Sequence, residues 1–410
     1  MNKEFDQQEE IKLVEQEQSS STNLEQPIKE NTNTLDVELN DQLFKFVELS
    51  DTIKSSSLVG KPRIAIVDIF KRFFKNYVAV IALCVVLLIA LIGLIAPLAS
   101  PFSATEPASS ASRDWISNMP PGYAPIVTEI MTQSQFDEIK KVDDLMTNLQ
   151  IIKNSQQLEN QFLVTYDKYL FVSSLTNDGS SGFTTLLGTN NVGIDIWTRT
   201  WVATRDSITL AFLVATTDAV IGITIGALLG FHAGKWVDTV FTRIIEIIIN
   251  IPSLIWFLML ITILPTINQF TLFLILTSIG WVYMVNGTRL WIITVKDQDF
   301  IMAAKSIGAS KTRQIFVHAL PAVIGKLATN YVRRIVVVIV SLSSLTFLGF
   351  LPTTGSPNLG TLLQEARTQF GTNIWILLLP SMILLFFSLS SQFIANGLHD
   401  ALDPQVIRGK

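Results

Sequence analysis

The chain has 410 residues, of which 49% are hydrophobic and only 16% charged, and its mean hydropathy is +0.42. A typical soluble domain carries about 25% charged residues, so this composition disfavours a single soluble globule. The net charge is −4, yet residues 1–60 alone hold 5 lysines against 13 Asp and Glu, a local charge of −8. The single cysteine, Cys84, excludes an intrachain disulfide framework and a multi-cysteine metal site.

Residues 1–60 are rich in Glu, Gln, Ser, Asn and Lys and contain few aromatic residues. Such a segment buries too little apolar area to offset the entropy of ordering, so we predict a disordered acidic tail. The first residues do not show a basic stretch followed by a short apolar run, so we expect no cleavable signal peptide. The first apolar run is therefore predicted to remain in the chain as a membrane span.

Six apolar runs predict the membrane region. A helix needs about 20 residues to cross a hydrocarbon core about 30 Å thick. Charge-poor runs of this kind occur at 77–97, 208–231, 244–264, 270–292, 322–350 and 374–394. One such run alone would also suit a buried core helix, but six in one chain predict an all-α polytopic membrane protein.

Lys and Arg near the ends of the runs predict the orientation. They cluster at 61–75, before the first run, and at 296–326, between the fourth and fifth runs. Cytoplasmic loops carry such an excess, so we predict that both segments and both termini lie in the cytoplasm. The connection at 265–269 has no charge and that at 352–373 has few, as expected outside. Residues 98–207 are then extracytoplasmic.

Part of that outside segment has the pattern of a folded module. Residues 134–150 favour a polar helix, and 162–174 show two β-rich runs around Asp167 and Lys168. We predict a small α+β insert over 98–187. A partly disordered insert is the alternative.

The segment DFIMAAKSIGASKTRQIFVHALP, from 299 to 321, carries the most specific spacing in the chain. A helix with paired alanines exposes a small-residue surface on which another protein's groove can close, and the glycine after it permits a sharp turn. A proline suits the first turn of the next helix. An ordinary amphipathic loop is the alternative. The candidate docking residues of this segment are Ala303, Ala304, Gly308, Ala309, His318, Leu320 and Pro321.

The spacing A-A-x-x-x-G-A followed by H-x-L-P resembles the EAA loop of the peptide and nickel permeases of bacterial ABC importers. Three further elements are similar to signatures of that family: GTNNVGIDIWTR at 188–199, LTFLGF at 345–350 and NGLHDALDP at 396–404. Their order resembles the C-type partner of an oligopeptide permease pair. The resemblance covers most of 63–404 but leaves out most of 98–187, an insert longer than usual.

The resemblance implies the six-helix fold of type I ABC importer permeases, in a permease domain over 188–404. It implies that 296–326 forms a coupling loop that docks into an ATPase subunit. It also implies the partners: a second, B-type permease subunit with which this chain forms the pore, two ABC ATPase subunits and an extracytoplasmic peptide-binding protein. The chain would lie in the cell membrane, among lipid, with 405–410 as a cytoplasmic end.

Departures from the family pattern leave the cargo open. Met302 stands in place of Glu, Asn190 of Asp, Ile194 of Arg, Leu359 of Trp and His399 of Arg. A dipeptide or nickel permease is the alternative within the class. An ion-coupled secondary transporter and an intramembrane enzyme are the alternatives outside it.

The second apolar run contains a strip of small residues. Gly222, Gly226 and Gly230 recur every four residues, so another helix can approach this face closely. Asp218 lies one turn earlier on the same face, and an acid within a span usually faces protein or water. It is either a polar lock to the partner permease or a pathway residue, or it makes a structural hydrogen bond within the bundle. A proton-coupled carrier should hold several such groups, whereas Asp218 is nearly alone.

Other charges near the spans have simpler explanations. We predict that Arg333 and Arg334 snorkel toward the cytoplasmic face. Arg243 and Glu246, three residues apart, are predicted to form a local pair at a helix start.

Catalytic and nucleotide-binding motifs are missing from the sequence. None of the four Gly-Lys pairs completes a P-loop, and neither H-E-x-x-H nor G-x-S-x-G occurs. We therefore predict no catalytic, metal-binding or cofactor-binding residues, and ATP hydrolysis on another chain. Basic residues cluster at the membrane border without interleaved aromatics, which disfavours nucleic-acid binding.

Overall fold

The computed structural model describes residues 65–109, 113–145, 150–175, 184–351, 356–369 and 371–402, with side chains from residue 69 onward. The predicted tail at 1–60 and the end at 405–410 lie outside the described residues. The first half contains α1 (Ala65–Lys75), α2 (Tyr77–Ala99), α3 (Arg113–Ile116), β1 (Ile126–Met131), α4 (Gln133–Leu145), β2 (Ile152–Leu158), β3 (Gln161–Asp167) and α5 (Lys168–Leu175). The second half contains α6 (Ile196–Phe231), α7 (Trp236–Asn250), α8 (Ser253–Ile263), α9 (Gln269–Val295), α10 (Asp299–Ser306), α11 (Lys311–Arg313), a π-helical turn (Gln314–Ala319), α12 (Leu320–Ala322), α13 (Ile324–Phe347), α14 (Leu359–Gln369) and α15 (Trp375–Leu402).

Five helices of the described chain are long and apolar enough to cross a membrane: α2, α6, α9, α13 and α15. The pair α7 and α8 together gives a sixth if both are counted as one bent span. The expected helical, multi-span architecture is therefore confirmed.

The third predicted span is not one straight helix. We expected a single helix over 244–264, but α7 ends at Asn250, α8 begins at Ser253, and their axes differ by 86°. Pro252 explains the break, because its ring lacks an N–H and clashes with a continuing helix. The Trp256 indole N–H donates to the Ile248 carbonyl across the bend at 3.3 Å.

The second predicted span is longer than expected. Its helix, α6, has 36 residues and starts at Ile196 instead of 208. At 1.5 Å per residue it is roughly 54 Å long, more than a bilayer core needs, so its first turns extend beyond the apolar layer. Asp195 caps it by accepting the backbone N–H of Thr198 at 2.8 Å.

The bundle is arranged around α6, which contacts α2, α9 and α13, while α15 packs against α2 and α13. Gly397 allows the contact between α15 and α2, because a Cβ there would collide with the side chain of Ala79. The main core joins residues from α2, α6, α8, α9, α13, α14 and α15, among them Ile89, Leu210, Phe257, Ile279, Leu342 and Phe387.

The insert contains a folded module in its described part. Three antiparallel strands pair in the order β1-β3-β2, and Ile126 lies opposite Asp167. Its own buried core includes Ile139 of α4, Val164 and Tyr166 of β3, and Phe171 of α5. Burial of this kind favours the expected α+β insert over the disordered alternative.

One element of the insert was predicted wrongly. Residues after Asp167 were expected to form a second β-run, but 168–175 form helix α5. The side chain of Asp167 accepts the backbone N–H of Leu170 at 3.0 Å, so it caps a helix at this point. Tertiary burial of Phe171 and Val172 then outweighs their strand propensity.

Candidate functional site

The glycine strip of α6 packs against α9 of the same chain. A Cβ on Gly226 would lie 2.6 Å from the Val285 carbonyl oxygen and 2.7 Å from the Thr288 Cβ. Gly222 and Gly230 approach the same helix equally closely. The expected close helix approach is therefore present, and the helix that makes it belongs to this chain.

Asp218 lies at the end of this strip and is fully buried. It accepts a hydrogen bond at 2.7 Å from Nε of Arg334, on α13. The two side chains meet over Gly280 of α9, where any Cβ would collide with both of them. Arg334 also donates to the Leu276 carbonyl at 3.1 Å. This geometry favours the structural alternative for Asp218, a polar contact within the bundle.

The pairing corrects one expectation about the arginines. Arg334 does not snorkel toward a membrane face, because its guanidinium turns inward to Asp218 and only 11% of its side chain is exposed. Its neighbour Arg333 donates to the Asn396 side-chain oxygen at 3.2 Å and is exposed. The predicted contact between Arg243 and Glu246 is present at 2.7 Å, but both residues lie in the middle of α7 instead of at a helix start.

A second buried pair was missed by the sequence reasoning. Arg289, within the fourth predicted span, donates from Nη2 to Oδ2 of Asp238 at 2.7 Å and makes a second bond through Nε. Asp238 is 2% exposed and also accepts the backbone N–H of Gly234. An arginine inside an apolar run was the available signal, since such a charge requires a partner. The pair connects α7 to α9 beside the glycine strip.

The loop 296–326 is ordered as a chain of short helices. Its first helix, α10, ends at Ser306, and Gly308, two residues later, has a φ of +86°. The Gly308 N–H bonds to the Lys305 carbonyl and the Ala309 N–H to the Ala304 carbonyl, both at 3.0 Å. This is a Schellman ending, in which glycine takes the left-handed conformation at little steric cost. The expected sharp turn at Gly308 is present, and a Cβ there would meet nothing within 4 Å.

The two alanines of this loop differ in exposure. Ala304 is 5% exposed and packs toward its own chain, whereas Ala303 is exposed. The outward side instead carries large apolar side chains. Ile307 is 86% exposed, and Met302 and Val317 are also exposed. We define these exposed residues as the loop surface: Phe300, Met302, Ala303, Ile307, Phe316 and Val317.

The second half of the loop leads into α13. His318 lies half-buried in the π-helical turn, while Leu320 and Pro321 belong to the short helix α12. Pro321 occupies the first turn there, as its missing N–H allows, but the next span starts three residues later at Ile324.

The inner side of the loop joins the membrane helices in one apolar cluster. Ile301, Ile315 and Ala319 of the loop pack with Ala227 of α6 and Ile292 of α9. All five are at most 2% exposed. The loop is therefore attached to the same two helices that the glycine strip joins.

A polar network organises the opposite end of α6. Arg199 forms an ion pair with Glu365 of α14 and donates to the Ala104 carbonyl at 2.8 Å. Asn190 accepts the backbone N–H groups of Val192 and Ile194, at 3.0 and 2.9 Å. An Asp at this position, as in the family pattern, would accept the same two bonds. That departure therefore leaves the local turn intact.

Comparison with known proteins gives two family matches. The family described as "Binding-protein-dependent transport system inner membrane component" matches residues 222–408. The family described as "N-terminal TM domain of oligopeptide transport permease C" matches residues 66–121.

Individual relatives cover more of the chain. The oligopeptide transport system permease protein OppC of Mycoplasma pneumoniae is 34% identical over 378 residues, which are 89% of this chain and 97% of that protein. The protein of the same name from Mycoplasma genitalium is also 34% identical, with the same coverage. The dipeptide transport system permease protein DppC of Lactococcus lactis subsp. cremoris is 27% identical over 86% of this chain and 94% of that protein.

Proposed function

This chain belongs to the family of oligopeptide and dipeptide transport permeases, and we propose that it is the C-type permease subunit of an ATP-driven oligopeptide importer. The family membership confirms the resemblance found in the motifs. The observation that supports the coupling role is the loop surface, which presents apolar side chains outward from a loop whose inner side is packed into the bundle.

We propose that this surface docks into an ABC ATPase subunit. Ile307 projects from the end of α10, beside the turn at Gly308, where a groove of another protein can enclose it. Apolar area buried in this way contributes roughly 25 cal/mol per Å² before the costs of association. Ala303 adds a small side chain that lets the docking backbone approach closely.

The loop's packing offers a physical route from ATP state to transport state. A force on the loop surface acts through Ile301 and Ile315 on Ala227 and Ile292, and so on α6 and α9 together. Since these two helices contact each other through glycines, they would move as one body instead of sliding apart. Rocking of this unit is the proposed change between inward-open and outward-open states.

The remaining assignments follow the family. We propose that the chain forms half of the pore with a B-type permease, that two ATPase subunits drive it, and that an extracytoplasmic binding protein delivers the peptide. We also propose that the chain itself is not catalytic. We propose a location in the cell membrane, as in the family, and the distribution of Lys and Arg supports both termini in the cytoplasm. The proposed domains are a tail at 1–60, a flank and first span at 61–97, the insert and the permease domain.

A dipeptide permease is the second candidate, because one of the relatives carries that name. A nickel permease and an ion-coupled carrier are less favoured candidates, since neither is supported by a particular contact in the described structure. These candidates and the oligopeptide permease are distinguished by vesicle uptake assays that compare oligopeptide, dipeptide and nickel as cargo, and ATP with an ion gradient as the energy source.

The experiment changes the loop surface without changing the fold. Ile307→Ser should leave insertion and thermal stability unchanged, because 86% of the residue is exposed. We expect a loss of ATPase co-purification and a fall of at least about tenfold in ATP-driven peptide uptake, since a central apolar anchor is worth about 2 kcal/mol or more. Co-purification is measured with the complex extracted in detergent. Uptake is measured after reconstitution of the complex in vesicles.

Leu145→Ser is the matched control, since Leu145 is 79% exposed at the end of α4, far along the chain from the loop. It should retain ATPase binding. Ala304 is a poor probe, because its substitution would disturb the buried side of the loop. Normal uptake by Ile307→Ser would contradict the coupling role. Uptake driven by an ion gradient without ATP would support the secondary-transporter alternative.

A further inference from the structure

A cavity of about 320 Å³ lies between α8, α9 and α13. This volume is at the lower end of the range for small-ligand pockets, roughly 300 to 1,000 Å³. Four of its ten lining residues are apolar, and six carry polar or charged side chains. The six are Ser253, Tyr283, Asn330, Arg333, Arg334 and Ser341. Each of them can donate a hydrogen bond.

The charge of this lining is positive. Arg334 is neutralised by Asp218, which is fully buried behind it and does not line the cavity. Arg333 has no such partner, since its hydrogen bond in the described structure goes to the neutral side chain of Asn396. No acidic residue lines the cavity among the residues that the structure describes. One uncompensated positive charge therefore faces a set of hydrogen-bond donors.

The depth of Arg333 favours a water-filled path over a lipid headgroup. It lies nine residues after Ile324 and fourteen before Phe347, the two ends of α13. These separations are roughly 14 Å and 21 Å along the axis. Snorkelling arginines are found near helix ends, whereas a charge this deep usually faces a cavity or a functional partner.

The ion pair of Arg334 with Asp218, beside Arg333, has a structural role. Arg334 is held by Asp218 and by the Leu276 carbonyl, and Gly280 leaves the space in which it lies. Its guanidinium is thus fixed before any ligand arrives. It helps to shape the wall, while Arg333 retains unused donors. Asn330, whose amide is 3.3 Å from the Met284 sulfur, retains donor capacity because thioether sulfur is a weak acceptor.

We propose that this cavity binds the terminal carboxylate of the peptide during transit, with Arg333 as the binding cation. The inference rests on the proposed function as a peptide permease. A guanidinium surrounded by hydroxyl and amide donors matches a carboxylate, which accepts bonds only. Every linear peptide with a free end carries this group. One site therefore serves peptides of different sequence without recognising their side chains.

The test compares two peptides of identical sequence, one with a free carboxyl end and one with an amide end. The complete complex, with ATPases and binding protein, is reconstituted in vesicles, and ATP-dependent uptake of each peptide is measured. Arg333→Gln should lower the ratio of acid to amide uptake by about tenfold relative to the wild type, the range expected for a hydrogen bond to a charged group. Preference in the binding protein cancels, because both complexes use the same one.

Arg243→Gln is the matched control, since it removes an arginine that lies on α7 and does not line the cavity. Its acid-to-amide ratio should equal that of the wild type. Arg333→Lys keeps the charge, and its ratio of acid to amide uptake should lie between those of the wild type and Arg333→Gln. Ser341→Ala removes one donor and should lower the ratio less. If Arg333→Gln does not assemble, Arg333→Lys and Ser341→Ala still test whether the cavity binds the carboxylate.

An unchanged ratio in the assembled Arg333 and Ser341 variants overturns the inference. A second result also overturns the inference. In this result the Arg333 variants lose uptake of the acid and the amide peptide equally, and only when phosphatidylglycerol is added to phosphatidylcholine vesicles, because Arg333 would then bind lipid. The proposed function fails separately, if the wild-type complex transports neither peptide. Peptide uptake with an unaltered ratio leaves that function intact and removes only this site.

Discussion

Buried acids lie just before the first residue of α6 and within its second half, but the surroundings of these two charges differ. On the side of Phe231, Asp218 contacts a single arginine across a surface of glycines. On the side of Ile196, Oδ2 of Asp195 accepts the backbone N–H and the hydroxyl of Thr198. In the described structure Oδ1 of both carboxylates is buried without a hydrogen-bond partner. The two acids differ in the cation, because Arg334 pairs with Asp218 and no cation contributes at Asp195. The first charge is compensated and the second is not. Substitution should therefore have opposite effects at the two ends.

The largest effect is expected at the compensated end. Asp218→Leu leaves the guanidinium of Arg334 buried without its partner, which should destabilise the protein by about 3–5 kcal/mol. Asp218→Asn keeps a hydrogen-bond acceptor and should cost less. The measurement is the midpoint of thermal unfolding of the purified chain in detergent.

The double variant Asp218→Leu with Arg334→Leu is the control for this effect. Removing both charges leaves no unpaired group, so most of the lost stability should return. If the double variant is as unstable as Asp218→Leu, the pair is not the cause. An Asp218→Asn protein with normal stability but no uptake would indicate a pathway charge.

An intermediate effect is expected at the glycine strip. Gly226→Ala introduces a Cβ at 2.6 Å from the Val285 carbonyl, so α6 and α9 must move apart. Overpacking of this kind costs about 1–3 kcal/mol. Gly287→Ala is a matched control on α9, because its Cβ would have no neighbour closer than 3.4 Å. The two unfolding midpoints should differ, with Gly226→Ala lower. Equal midpoints would show that the close contact does not support the fold.

Local patterns predicted the half of α6 that contains the strip. Glycines at four-residue spacing and an acid one turn away define a packing face without knowledge of the partner. The partner of Asp218 could be identified only from the fold, since Arg334 follows it by 116 residues. Arg289 lies within a predicted span as well, and its partner Asp238 is 51 residues away, so local spacing did not indicate the pair.

The end of α6 at Ile196 was less predictable for the same reason. Arg199 and Glu365 are 166 residues apart, and nothing near either one specifies the other. The break at Pro252 was visible in the sequence, yet hydropathy alone continued the run across it. In the loop, adjacency suggested that Ala303 and Ala304 share a surface. Adjacent residues on a helix point about 100° apart, so one turned inward.

The smallest effect, with the opposite sign, is expected at Asp195. Burial raises the pKa of this carboxyl above its usual range, despite the hydrogen bonds from Thr198 that lower it. A raised pKa in the folded state means that the favourable contribution of this group is complete below the unfolded pKa. It is lost as the pH rises through the folded pKa. At neutral pH the ionised carboxylate thus lowers the stability of the fold. Asp195→Asn keeps an N-cap acceptor and removes the buried charge, so the variant should be more stable at pH 7 by about 1 kcal/mol or less.

The pH dependence separates this explanation from a general gain in packing. The advantage of Asp195→Asn should shrink as the pH falls through the raised pKa of the folded protein, and it should be smallest below the unfolded pKa of about 3.9. Asp114→Asn is the control, since Asp114 is exposed on α3 and its substitution should change the unfolding midpoint little at either pH. Midpoints are measured across this range in one detergent. A lower midpoint for Asp195→Asn at pH 7 would mean that the charge is compensated at this end of α6 too, and the contrast between the two ends would then be wrong.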